Sequence, residues 1–124
     1  NVIKQYLNGS LIDTESGITL ADITDNAEEF YIGNCDDSRE YEGYISDVAF
    51  YKGVVLDASQ VATIYNGREP YNHKEGVAST YLKGWWRMGD GKEGGSGSTV
   101  YDMSGNGNDG TVENGPVFSG ETRW

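Results

Sequence analysis

Glycine, more than any other residue, limits what this chain can become. It supplies 18 of the 124 residues, and nine of those fall between residues 84 and 110. Glycine at that density favours tight turns and loops over long regular elements. The apolar runs left between the turns are short and read as strands. Val2 to Leu7 meets Asn8-Gly9 before Ser10-Leu11-Ile12. Asn-Gly between apolar runs is a strong hairpin signal, because both residues tolerate the positive φ of a type I′ turn.

Further strands are expected at Ile18-Thr19-Leu20 and at Phe30-Tyr31-Ile32, the latter stopped by Gly33. The clearest spans Gly43 to Tyr51, where Tyr44, Ser46, Val48 and Phe50 alternate with Ile45, Asp47, Ala49 and Tyr51. Neither set is purely polar, which predicts cover on both faces. Leu82 to Met88 reads as another strand, with Trp86 and Met88 on one face and Trp85 and Arg87 on the other. Short strands at Thr99-Val100-Tyr101 and Gly110-Thr111-Val112 flank a loop from Asp102 to Asp109. Trp86, Phe50, Tyr31 and Met88 are the expected core residues.

One helix is expected. Asp57 caps it, Gln60 stands at capping-box spacing, Val61, Ile64 and Tyr65 share a face, and Asn66-Gly67 ends it. Residues 68–79 read as an exposed, polar connector that contains the only histidine, His73. Many short strands, frequent turns and one short helix predict an all-β fold, an antiparallel β-sandwich (jelly roll).

Charge narrows the partners. Nine basic against twenty acidic residues give a net charge of -11, which argues against nucleic acid, bound mainly through Lys and Arg on phosphates. No apolar run approaches the roughly 20 residues that cross a bilayer, so membrane insertion is not expected. Asn1, in place of an initiating methionine, points to a piece of a longer chain. The single cysteine, Cys35, cannot form an internal disulfide and has no histidine pattern beside it for a nucleophile pair or a zinc site.

Three constellations carry chemistry. Asp102, Asn106, Asn108 and Asp109 set several oxygen donors among glycines, a composition suited to calcium and equally to a turn whose side chains accept backbone N–H groups. Asp36, Asp37, Glu40 and Glu42 form an acidic loop, a solvated surface or a cation site. As a glycoside hydrolase pair they would need two carboxylates about 5–10 Å apart across a cleft, one in an apolar setting. Tyr41, Tyr44 and Trp85, together with Tyr51 and Tyr81, offer aromatic faces that stack on sugar rings or fill an interface.

Two series of motifs resemble the laminin G-like domains of the concanavalin A-like lectin/glucanase superfamily. Tyr6-Leu7-Asn8-Gly9, Phe30 to Gly33, Tyr41 to Tyr51 and the 56–66 helix are similar to the closing half of such a domain. Trp86-Arg87-Met88-Gly89-Asp90-Gly91 and Tyr101-Asp102-Met103-Ser104-Gly105-Asn106-Gly107-Asn108-Asp109-Gly110 look like its opening strand and turn. The two halves stand in swapped order. The resemblance therefore implies residues 1–72 as a closing half, 73–80 as a connector and 81–124 as opening strands that pack on the first part or on a neighbouring chain.

The wording of the second series is similar to modules in tailed-bacteriophage structural proteins. That implies a non-catalytic module on a virion surface or outside the cell, one that binds a glycan or host-surface polymer. The alternatives are a structural capsid-decoration or fibre protein, homo-oligomeric through its strand edges, and a glycoside hydrolase. The E-x-D-x-E strand of the superfamily's glucanases is absent here.

Overall fold

The computed structural model describes residues 1–18, 29–34, 41–88 and 95–113. Within them the chain is mainly β, with small antiparallel sheets and one short helix. Strand β1 (Val2–Leu7) pairs with β2 (Ser10–Ser16) through the Asn8-Gly9 turn. Both turn residues have positive φ, 51° and 76°, as the sequence predicts for a type I′ turn. The register slips between Gln5 and Tyr6, and Ile12 is the extra residue of the bulge on β2. Most of this hairpin's side chains are exposed on both faces.

The turn rests on the helix. A Cβ at Gly9 would come within 2.9 Å of the Tyr65 ring, so only glycine permits that approach. Helix α1 (Ala58–Tyr65) is built as its caps direct. Asp57 Oδ1 accepts the Gln60 N–H at 2.9 Å, and Gln60 Oε1 accepts the Asp57 N–H at 2.9 Å. Asn66, at φ 48°, ends the helix and donates its backbone N–H to Ala62 O.

The packed centre is the pairing of β3 (Val48–Tyr51) with β4 (Leu82–Trp86). Leu82, Trp85 and Trp86 are the buried large apolar residues among those described. Gly84 is required here, because the Trp86 ring lies where any side chain at 84 would stand. On that face Trp86 stacks on Phe30, with ring centroids 5.9 Å apart, and Phe30 in turn meets Phe50. Strands β5 (Gly95–Ser96), β6 (Thr99–Val100) and β7 (Gly110–Thr111) form a small meander beyond it.

Several expectations change. The strand expected over 43–51 is confined to Val48–Tyr51, because Asp47 adopts φ 56° and breaks the extended backbone. The strand expected over 82–88 stops at Trp86, and Met88 has φ 53°. Phe30 to Ile32 is not in a strand. Tyr31 and Phe50, expected in the core, are 53% and 44% exposed, because little packs outside them among the described residues. Residues Thr19 and Leu20, Cys35, Asp36, Asp37 and Glu40, and the motif end Gly89-Asp90-Gly91 lie outside the described residues.

Candidate functional site

Polar side chains converge on the two sides of β4. On one side the segment expected to be an exposed connector folds inward, and His73 is only 3% exposed. Its Nδ1 lies 2.7 Å from the Tyr51 hydroxyl and its Nε2 lies 3.6 Å from Asp47 Oδ2. Trp85 Nε1–H donates to Asp47 Oδ1 at 2.6 Å. The His73 ring is also held edge-on by Tyr71 and Trp85, at 5.1 and 5.3 Å between centroids. The carboxylate beside Nε2 favours a proton on that nitrogen, leaving Nδ1 to accept from Tyr51. The result is a carboxylate, an imidazole and a hydroxyl in series, clamped between β3, β4 and the 71–81 segment.

The series ties β3, β4 and the 71–81 segment together. Burial pushes the Tyr51 phenol up, with help from Tyr71 and Asp47, from 10.0 to about 12. Asp47 shows the competing effect. Burial works to raise its pKa, but hydrogen bonds from His73 and Trp85 and the attraction of His73 and Arg87 outweigh it and hold the carboxyl below 3.8.

On the other side of β4 lies the glycine-rich loop. Asp102 Oδ1 accepts the N–H groups of Trp85 at 3.0 Å and Ser104 at 2.9 Å, and Oδ2 accepts that of Asn108 at 2.9 Å. Asp109 Oδ1 accepts the Asp102 N–H at 2.8 Å. Asn106 Nδ2 donates to Leu82 O and Asn108 Nδ2 to Lys83 O, while Met103 N–H reaches Trp85 O at 2.7 Å. Trp86 Nε1–H returns the contact to Asn108 O at 2.8 Å. Gly105 and Gly107 make the bends at φ 90° and 77°. The loop therefore closes the second edge of β4 with one antiparallel backbone bridge, Trp86 to Asp102, and with side chains on either side of it. Burial tends to raise the Asp102 pKa, but these N–H bonds, with the Ser104 side chain, prevail and lower it.

The four residues singled out as oxygen donors for calcium thus come together. Both oxygens of Asp102 already accept N–H groups, and the Asn106 and Asn108 amide nitrogens donate to β4. Among the described residues no group of three His, Cys, Asp or Glu side chains converges as a metal site would. Adding a chelator is accordingly expected to leave the urea unfolding midpoint unchanged. A midpoint that rises with added Ca2+ and falls with chelator would assign the loop to an ion instead.

Of the aromatic residues singled out for a ligand, Tyr41 and Tyr44 are exposed, whereas Trp85 is 8% exposed and bonded to Asp47. The structure adds Phe30 and Phe50 to the exposed aromatic surface. Glu42, from the acidic loop, is exposed. Sequence reasoning missed Asp47 and His73. Their partners lie 22 and 38 positions away along the chain, and neither residue carries a local motif. No family model, curated protein or solved structure matches this chain.

Proposed function

We propose that this chain is a non-catalytic structural module of a surface assembly, such as a virion exterior. In this reading it is an antiparallel β-sandwich (jelly roll) of the laminin G-like type that associates through strand edges and apolar surface. The observation that carries the reading is the β1–β2 hairpin, whose Val2, Ile3, Leu7, Leu11 and Ile12 are all exposed. A two-stranded ribbon open on both faces is marginal in water by itself and gains most from a neighbour. Support also comes from the polar groups around β4, which are consumed in holding backbone and rings. Sedimentation velocity over a concentration series tests it, with association expected as concentration rises. A monomer at every concentration that still unfolds cooperatively would overturn it.

A second reading, recognition of a glycan or host-surface polymer, draws on Tyr41, Tyr44, Phe30 and Phe50, all exposed. Aromatic faces stack on sugar rings through apolar area with a polar rim. Binding on a glycan array that is lost in Tyr44→Ala would favour it, and silence on the array would leave assembly as the function.

A further inference from the structure

We infer that Asn8 is a site of self-modification, where the side-chain amide is lost as ammonia and the main chain is rerouted through the side chain as isoaspartate. The other described Asn-Gly pairs are held back by the fold. Four such pairs stand in the sequence, at 8–9, 66–67, 106–107 and 114–115, and Asn114 lies outside the described residues. Glycine after asparagine leaves the next backbone nitrogen without a side chain to hinder it.

The chemistry needs only water. Gly9 N gives up its proton to solvent and bonds to Asn8 Cγ. The Cγ–Nδ2 bond breaks, and Nδ2 leaves with a proton as ammonia. Water then cleaves the resulting cyclic imide at one of its two carbonyl carbons. Cleavage at Cγ gives aspartate, whereas cleavage at the Asn8 backbone carbonyl gives isoaspartate, with Cβ and Cγ now in the main chain. One water is consumed, one ammonia is released, and nothing is oxidised or reduced.

Exposure does not rank the sites, because Asn8, Asn66 and Asn106 are all exposed. Hydrogen bonding does. Asn66 Nδ2 donates to Glu69 O and Pro70 O, and its backbone N–H ends α1 on Ala62 O. Asn106 Nδ2 donates to Leu82 O at 3.1 Å and to Ser104 Oγ at 2.9 Å, which ties it to the packed strand β4. The Asn8 side chain makes no hydrogen bond among the described residues. In the left-handed conformation of a type I′ turn the Gly9 nitrogen stands away from the Asn8 side chain, so ring closure waits for the turn to open. Opening is easiest in the β1–β2 ribbon, which is exposed on both faces and leans only on α1 through β2 among the described elements. Releasing Asn106 breaks bonds to the buried centre instead.

Isoaspartate adds a carbon to a loop whose two-residue length sets the hairpin register. The turn has no slack to absorb it, since Gly9 already lies against the Tyr65 ring. The modified chain therefore loses the β1–β2 ladder.

The test ages the whole chain, diluted until monomeric, at mildly alkaline pH. Peptide mapping by mass spectrometry reads each site, and an isoaspartate-specific methyltransferase reports the rearranged product. Asn8 is expected to convert about tenfold or more faster than Asn66 or Asn106, because local opening ranges from almost free in frayed elements to the full unfolding cost in the core. Urea above the unfolding midpoint is expected to bring the three rates together. Equal rates in the folded chain overturn the inference. So does a lead for Asn8 that persists undiminished in urea, which would place its cause in the neighbouring residues and not in the fold. Asn8→Asp carries the same added charge on an unaltered main chain, and Asp-Gly suits the same turn. Freshly prepared, it is expected to keep wild-type amide exchange protection in β1 and β2, while the isoaspartate form loses it. Full protection in the isoaspartate form overturns the effect on the hairpin.

Discussion

Trp86→Ala is expected to lower the free energy of unfolding by about 3–5 kcal/mol, the range for emptying a large aromatic site in a core. The upper part of that range applies here for three reasons. Trp86 is among the few buried apolar side chains described, so its loss removes much of the centre that joins β3 to β4. Its ring fills the space above Gly84 and is the surface on which Phe30 stacks. Its Nε1–H also anchors the loop at Asn108 O, so the cavity opens beside an orphaned carbonyl. Urea denaturation followed by far-ultraviolet circular dichroism measures the change. A loss below about 1 kcal/mol would mean that the stack is not part of the cooperative unit.

His73→Ala is expected to cost about 2–4 kcal/mol, because it strips a buried hydrogen bond from Tyr51 and a partner from Asp47 and leaves a void against Tyr71 and Trp85. Its pH profile separates this from simple loss of volume. Asp47 has a folded pKa below its unfolded value, so the unfolded chain binds the proton more readily. Its contribution is full above the unfolded pKa and is lost as pH falls through the folded one, below about 4. Tyr51 has a folded pKa of about 12 against 10.0, so the folded state keeps its proton longer. That contribution is full below 10 and disappears as pH rises toward 12. The wild-type stability curve is expected to bend downward at both ends, and the acid limb is expected to flatten in His73→Ala. An unaltered acid limb in the variant would show that His73 does not hold the Asp47 charge.

What the sequence made legible was local. The Asn8-Gly9 turn and the Asp57–Gln60 cap are each built from residues within a few positions of one another, and each formed as read. The strand over 43–51 was overread because alternation persists through Asp47. The carboxylate there is drawn to Trp85 and His73, and the backbone turns to deliver it. The same distant pairing buries His73 in a stretch whose composition reads as exposed. The 102–109 loop was ambiguous for a chemical reason. Oxygen atoms that suit a cation suit an N–H group equally, and only the positions of Trp85, Ser104 and Asn108 reveal which they meet. The apolar residues of β1 and β2 come in adjacent pairs, Val2-Ile3, Tyr6-Leu7 and Leu11-Ile12, which mark no inner face, and the structure leaves nearly all of them in solvent.

The side chains that seal β4 also bear on how large an assembly can grow. An open border can take up a strand from another chain, whereas a covered border takes up none. The loop from Asp102 to Asp109, laid along β4, closes that border, while β1 and β3 each keep a side with no strand beside it among the described residues. The loop's hydrogen bonds therefore guard β4 against the addition of another strand as well as bracing it. Cutting that brace, for example at Asp102, is expected to bare an edge at which a strand of another chain can add.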